Sequence, residues 1–209
     1  MLKSKGSEEI SGFVLHRALL PDPAQQALVG DLREVIAAAP LMRFKTAWGK
    51  PMSVRMTSAG RMGWVIERGK YRYADRHPET DRAWPAIPGR ILDVWQQVSD
   101  WPTDPDCCLI NWYGEGTKMG LHQDKDEGDF SAPVVSISLG DPARFRMGGP
   151  DRKGPTESTL LNSGDVVVMG GAARLAYHGI DRVLFGEGTL LPDGGRINLT
   201  LRVVQNASA

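Results

Sequence analysis

Apolar and polar positions alternate with two periods along this chain. In the first hundred residues a helical period dominates. "PDPAQQALVGDLREVIAAAP" places Leu28, Leu32, Val35, Ile36 and Ala39 on one face, with Asp22 as N-cap, Pro23 at the first helical position and Pro40 as the stop. "GRILDVWQQV" predicts a second helix with Ile91, Val94, Trp95 and Val98 inward. Between them, residues 44–82 mix Gly, Pro and alternating aromatics, which predicts short strands and loops. From about residue 105 the period becomes two. "CCLINWY", "PVVSISL", "ARFRM", "STLLN", "DVVVMG", "RLAYHG" and "RINLTLRVV" follow one another, punctuated by Gly, Pro, Asp or Asn. Many short strands so spaced predict a sandwich or barrel. The expected class is mainly β with flanking helices (α+β), in one compact unit: an N-terminal part over 1–104 and a β core over 105–209.

A chain of 209 residues, 41% hydrophobic, suits one folded core. It contains no apolar run long enough to span a membrane, and "MLKSKGSEEI" leads into no signal-peptide core. Cys107 and Cys108 are adjacent and poorly placed to bridge, so buried reduced thiols and a cytoplasmic location are expected. The net charge is zero, but residues 43–82 hold ten Lys or Arg against four acids, and residues 104–129 hold seven acids against two lysines. A basic and an acidic segment in one chain suggest an anionic partner and a cation, but charge alone favours ordinary scatter.

The acidic segment contains "LHQDKDE", and in an extended chain residues i and i+2 share a face. His122 and Asp124 can therefore offer an imidazole and a carboxylate to one ion. Two histidines and one carboxylate leave positions open on an octahedral Fe(II). His178, in "LAYHGI", is a plausible third ligand. His77-Pro78-Glu79 reads as a polar surface turn, and His16 as a packing residue. Taken singly, the 122–127 stretch reads equally well as a solvated turn, and His178 as a satisfied core histidine.

"RINLTLR" changes the balance. Alternation places Arg196, Asn198, Thr200 and Arg202 on one face, opposite Ile197, Leu199 and Leu201. Two arginines facing a β cavity are costly unless they meet anions, and a dicarboxylate offers two ends for bidentate pairing. Asn111 and Tyr113 share the same spacing and can add hydrogen bonds, while Trp112 between them faces the other way. Together these residues suggest an iron- and 2-oxoglutarate-dependent dioxygenase.

"CLINWY", "LHQDKDE", "APVVSISLG", "GDVVVMGG", "YHGI" and "RINLTLR" resemble, in order and spacing, the bacterial AlkB alkylation-repair dioxygenases. "MSVRMTSAGRMGW", "YRY" and "AWPAIP" extend the resemblance upstream, so that it covers roughly residues 42–204. It implies a double-stranded β-helix (jelly roll) core with an N-terminal nucleotide-recognition lid. It implies Fe(II) at His122, Asp124 and His178, and 2-oxoglutarate at Asn111, Tyr113, Arg196, Asn198 and Arg202, with O2 as second cosubstrate. It implies a flipped base between Trp64 and His122, Tyr71 and Tyr73 near the nucleotide backbone, and Met56, Asp126 and Arg152 around the base. The expected reaction is oxidative demethylation of 1-methyladenine and 3-methylcytosine in single-stranded DNA, with RNA or unpaired duplex bases as alternatives. The products are formaldehyde, succinate and CO2. The lid sequence agrees: Met56, Trp64, Tyr71 and Tyr73 are interleaved with Arg55, Arg61, Arg68, Lys70 and Arg72, as in a groove for single strands. A monomer without membrane contact is expected. The rival reading is a 2-oxoglutarate-dependent oxygenase of a non-nucleic-acid substrate, which has no need of such a lid.

Overall fold

A computed structural model of the chain describes residues 6–45, 49–67 and 69–204. The strands are β1 (Ser7–Ile10), β2 (Phe13–His16), β3 (Arg55–Gly60), β4 (Gly63–Glu67), β5 (Lys70–Ala74), β6 (Cys107–Tyr113), β7 (Met119–His122), β8 (Val134–Gly140), β9 (Ala143–Met147), β10 (Glu157–Leu161), β11 (Val166–Met169), β12 (His178–Val183) and β13 (Arg196–Arg202). The helices are α1 (Asp22–Ala38) and α2 (Gly89–Val98). A seven-stranded sheet runs β1-β2-β11-β8-β13-β6-β3 and faces a four-stranded sheet, β10-β9-β12-β7. The hairpin β4-β5 stands apart as a third, two-stranded sheet.

The period-two pattern explains the layering. Ile197, Leu199 and Leu201 of β13, with Val135, Ile137 and Leu139 of β8, share a cluster with Leu28, Leu32 and Val35 of α1 and Ile91, Val94 and Trp95 of α2. The helices therefore cover the outer face of the large sheet. On the inner face, Phe13, Leu109, Phe145, Val167 and Ile180 belong to a second cluster between the sheets. The polar side of β13 lines a cavity in the same space. Trp112 lies with the outer cluster, under the guanidinium of Arg55 at 4.4 Å.

Several expectations are corrected. The first helix starts at Asp22, with Pro21 in the cap position, so Asp22 is the first helical residue. The run 174–177 is not a strand: it follows a short 3-10 turn at Gly171–Ala173, and β12 opens at His178. His77 is 1% exposed rather than on the surface. Its Nε2 bonds Pro40 O, its Nδ1 accepts from the main chain of Glu79 and Thr80, and its ring leans on Trp84. The residue 104/105 division also runs through the large sheet, because β1, β2 and β3 extend it. Cys107 and Cys108 are buried and unbridged.

Asp141 positions the start of β13. Gly140 has φ +86°, and a Cβ there would meet Gly195 O at 2.4 Å. That turn buries Asp141, whose carboxylate accepts from the main-chain N–H groups of Gly186, Gly188 and Gly195. The last of these precedes Arg196. Asp141→Ala orphans these donors and is expected to lower stability by about 3 kcal/mol, read as a drop in the urea midpoint with an unchanged m-value.

Candidate active site

His122, Asp124 and His178 converge at one end of the inter-sheet space. Each offers a ligand atom within 4.8 Å of the others'. His122 ends β7 and His178 opens β12, directly opposite it in the ladder. Asp124 follows in the loop after β7. Its Oδ1 lies 3.9 Å from His122 Nε2, and its Oδ2 lies 3.8 Å from His178 Nε2. The Nδ1 atoms of His122 and His178 each sit 3.0 Å from a carbonyl, Gly120 O and Ala176 O respectively. A carbonyl only accepts, so both Nδ1 atoms carry the proton and both Nε2 lone pairs are free for a metal. Burial, with His122 beside it, lowers the His178 pKa to about 4, which favours the neutral imidazole a metal requires. Burial opposes ionisation of Asp124, but Arg202 and the two histidines outweigh it and hold the carboxyl below its usual range. Its Oδ2 is buried and has no hydrogen-bond partner. This donor set fits Fe(II).

The two arginines that β13 turns into the cavity differ in a way that alternation alone does not reveal. Arg202 is neutralised by the chain itself: it donates to Asp124 Oδ1 at 2.7 Å and lies 3.5 Å from Glu127 Oε1. Arg196 is fully buried, and its one described side-chain partner is the Ser138 hydroxyl, at 2.8 Å. Its Nε and Nη1 have no partner, and burial lowers its pKa to about 10. A buried guanidinium so placed calls for an anion. Around it stand Asn198 and, with partners counted among the described residues, Asn111, whose Oδ1 has none, and Tyr113, whose hydroxyl has Met119 Sδ at 3.7 Å alone. Asn198 is held by Ser136 and Thr200. These groups fit the carboxylate of 2-oxoglutarate.

The cavity, about 400 Å³, is continuous from Arg196 past the His-Asp-His cluster to the hairpin β4-β5. There Trp64 and Tyr71 stack, with ring centroids 5.2 Å apart and planes 22° apart, and Phe44 meets Trp64 edge-on. The Trp64 indole donates to Asp126 Oδ2 at 2.9 Å. Met56 and Arg152 also line the cavity, the latter with its guanidinium 6.0 Å from the Tyr177 ring. Tyr73 does not share the stack. It points inward, donates to Glu127 and lies 3.4 Å from Arg202 Nη1. Among the expected phosphate-binding cations, Arg61 pairs with Asp106, and Arg72 with Glu67. Arg55 covers Trp112. Arg68 lies outside the described residues.

Sequence reasoning gave no role to Gln123 or Glu127 and overlooked Arg174. Gln123 Nε2 donates to Leu175 O at 2.6 Å. Glu127 is 5% exposed and pairs with Arg174 and Arg202. An R-x-x-x-H spacing before a liganding histidine was the one available signal.

Residues 12–202 match the family described as "2OG-Fe(II) oxygenase superfamily". The chain is 52% identical to a Caulobacter vibrioides alpha-ketoglutarate-dependent dioxygenase AlkB homolog, covering 95% of this chain and 90% of the relative. It is 43% identical to the Escherichia coli alpha-ketoglutarate-dependent dioxygenase AlkB, over 92% and 90%. A Schizosaccharomyces pombe tRNA demethylase, abh1, is 26% identical over 65% of this chain and 46% of its own. The solved structure described as that of OsALKBH1 superposes with a TM-score of 0.77 at 29% identity, covering 95% of this chain and all of that one.

Proposed function

This chain belongs to the 2OG-Fe(II) oxygenase superfamily and, within it, to the bacterial AlkB dioxygenases, and from that premise we propose that it oxidatively demethylates 1-methyladenine and 3-methylcytosine in single-stranded nucleic acid. The cofactor is Fe(II), and the cosubstrates are 2-oxoglutarate and O2. The observation that carries the proposal is the single cavity joining three unlike sets of groups: a His-Asp-His cluster, a buried unpaired guanidinium and a stacked aromatic pair.

Fe(II) with 2-oxoglutarate and O2, when bound, supplies the oxidant that hydroxylates the N-methyl carbon. The chain's own residues do the rest. His122, Asp124 and His178 hold the metal, with both imidazoles locked by their Nδ1–H bonds. Arg196 takes one carboxylate of the cosubstrate, while Asn111, Tyr113, Asn198 and Arg202 hold the remainder. Trp64 and Tyr71 supply the aromatic wall for an extruded base, with Met56 and Arg152 beside it; Tyr73 ties the hairpin to Glu127. The hydroxylated methyl group leaves as formaldehyde, with 2-oxoglutarate converted to succinate and CO2. Relatives described as DNA N(6)-methyladenine and tRNA demethylases support a nucleic-acid substrate over a small metabolite. Single strands spare the cost of unpairing, so one 1-methyladenine is expected to be repaired faster in a single strand than in its duplex. Equal rates would remove the single-strand preference. The protein is proposed to act as a cytoplasmic monomer, a state that light scattering tests; its buried free thiols suit a reducing compartment.

Asp126 has two roles that one substitution separates. Its carboxylate holds Trp64 and places a negative charge at the cavity mouth. Asp126→Asn keeps an acceptor for the indole and removes the charge. It is expected to cost about 1 kcal/mol, roughly fivefold in kcat/KM, on cationic 1-methyladenine, and less on a neutral etheno adduct. Equal losses on the two lesions would remove the charge-sensing role.

A further inference from the structure

We propose that Arg174 is a positioning residue for the metal site, with Glu127 as its counter-ion. Arg174 stands four residues before His178, on the loop that carries the third ligand. Its guanidinium reaches three acceptors on the other ligand segment. Nη1 donates to Asp124 O at 2.6 Å, Nε to Ala132 O at 2.8 Å, and Nη2 to Glu127 Oε2 at 3.1 Å. The guanidinium also lies 5.2 Å from the Phe130 ring centroid.

This clamp acts where the fold supplies little else. Asp124 lies beyond the last residue of β7, so its main chain is outside the strand ladder. Its carbonyl is taken instead by Arg174, which fixes the peptide from which the carboxylate projects. The neighbouring bond from Gln123 to Leu175 O ties the same two segments together. His122 and Asp124 are thereby held in register with His178 across the site. Arg174 touches neither the ligand atoms nor the cosubstrate groups, so its action on the metal runs through Asp124.

The clamp is charged and buried: Arg174 is 4% exposed and Glu127 5%. A lone guanidinium there would be costly, and Glu127 offsets it. Glu127 also lies beside Arg202 and accepts from Tyr73 of the hairpin, so one carboxylate serves the clamp, the cosubstrate arginine and the lid. Lysine cannot replace Arg174, because the three bonds leave a planar fork in three directions.

The proposal rests on the reading that His122, Asp124 and His178 hold the metal, and the test separates the two. Mn(II) is titrated into the full chain, without cosubstrate or nucleic acid, and free Mn(II) is followed by its paramagnetic resonance signal. Thermal midpoints are measured without metal. Arg174→Lys is expected to raise the Mn(II) Kd roughly 10–100-fold, the range for partners that orient metal ligands. Leu28→Ala, cut from the helix-side core, lowers the midpoint and leaves the Kd unchanged. Glu127→Gln keeps the side-chain shape, shifts the Kd in the same direction as Arg174→Lys, and carries the test if the lysine variant does not fold. Wild-type Mn(II) affinity in both variants, with midpoints lowered as in Leu28→Ala, would overturn the proposal. Wild-type affinity in His178→Ala would overturn the metal site itself.

Discussion

Arg196→Met is expected to make the protein more stable and its cosubstrate binding far weaker. Arg196 is wholly buried and, among the described residues, its side chain bonds the Ser138 hydroxyl alone and leaves two guanidinium nitrogens without partners. Replacing a buried charged group by an apolar side chain of similar volume is often neutral or stabilising, by about 1–4 kcal/mol. Here the charge has no carboxylate partner among the described residues, so a gain is expected in the urea midpoint of the metal-free protein. The same substitution removes the proposed partner of a cosubstrate carboxylate. Truncating one side of such a buried pair costs about 2–5 kcal/mol, or roughly thirty- to several-thousand-fold in Kd. Calorimetric titration of 2-oxoglutarate into the Mn(II) form reads this directly. A destabilised variant, or one that binds 2-oxoglutarate normally, would show that Arg196 is structural.

Asp124→Asn is expected to fail in both respects. Asp124 faces both histidines and is the nearer of the two carboxylates that neutralise Arg202. Its loss leaves Arg174 and Arg202 to share Glu127, so that one buried positive charge is uncompensated, which costs about 3–5 kcal/mol. The metal loses a proposed ligand at the same time, so Mn(II) affinity should fall by more than the roughly 10–100-fold attached to outer partners. Demethylation should fall below detection. Thus Arg196→Met and Asp124→Asn, both at the floor of one cavity, are expected to move stability in opposite directions. A substitution set that destabilised uniformly would contradict this division of charge.

What the sequence made legible is what repeats locally. The alternation of "RINLTLR" identified its cavity face, because a strand's side chains divide between faces by parity. The helix over 89–98 was legible from its own period, with Ile91, Val94 and Trp95 on one face, and His122-x-Asp124 from close spacing, although Asp124 lies just past the end of β7. Other features depend on partners far along the chain. Glu127 looked like one more acid in a polar turn; its burial follows from Arg174 and Arg202, 47 and 75 positions away. His77 was hidden by its proline, since nothing local says that Pro40 O will capture its ring. The hairpin β1-β2 was not legible, because "SEEI" is almost wholly exposed; its place at the sheet edge comes from β2 pairing with β11. Parity also assigned Arg196 and Arg202 the same task. Their difference lies in which of them already has carboxylates within reach.

The central claim is that oxidation at this site is spent on a methylated base. Anaerobic loading with Fe(II), 2-oxoglutarate and a single-stranded oligonucleotide bearing 1-methyladenine, followed by air, tests it most directly. The prediction is repaired adenine and formaldehyde formed in equal amounts, in step with succinate. Succinate formed without repaired base would contradict it.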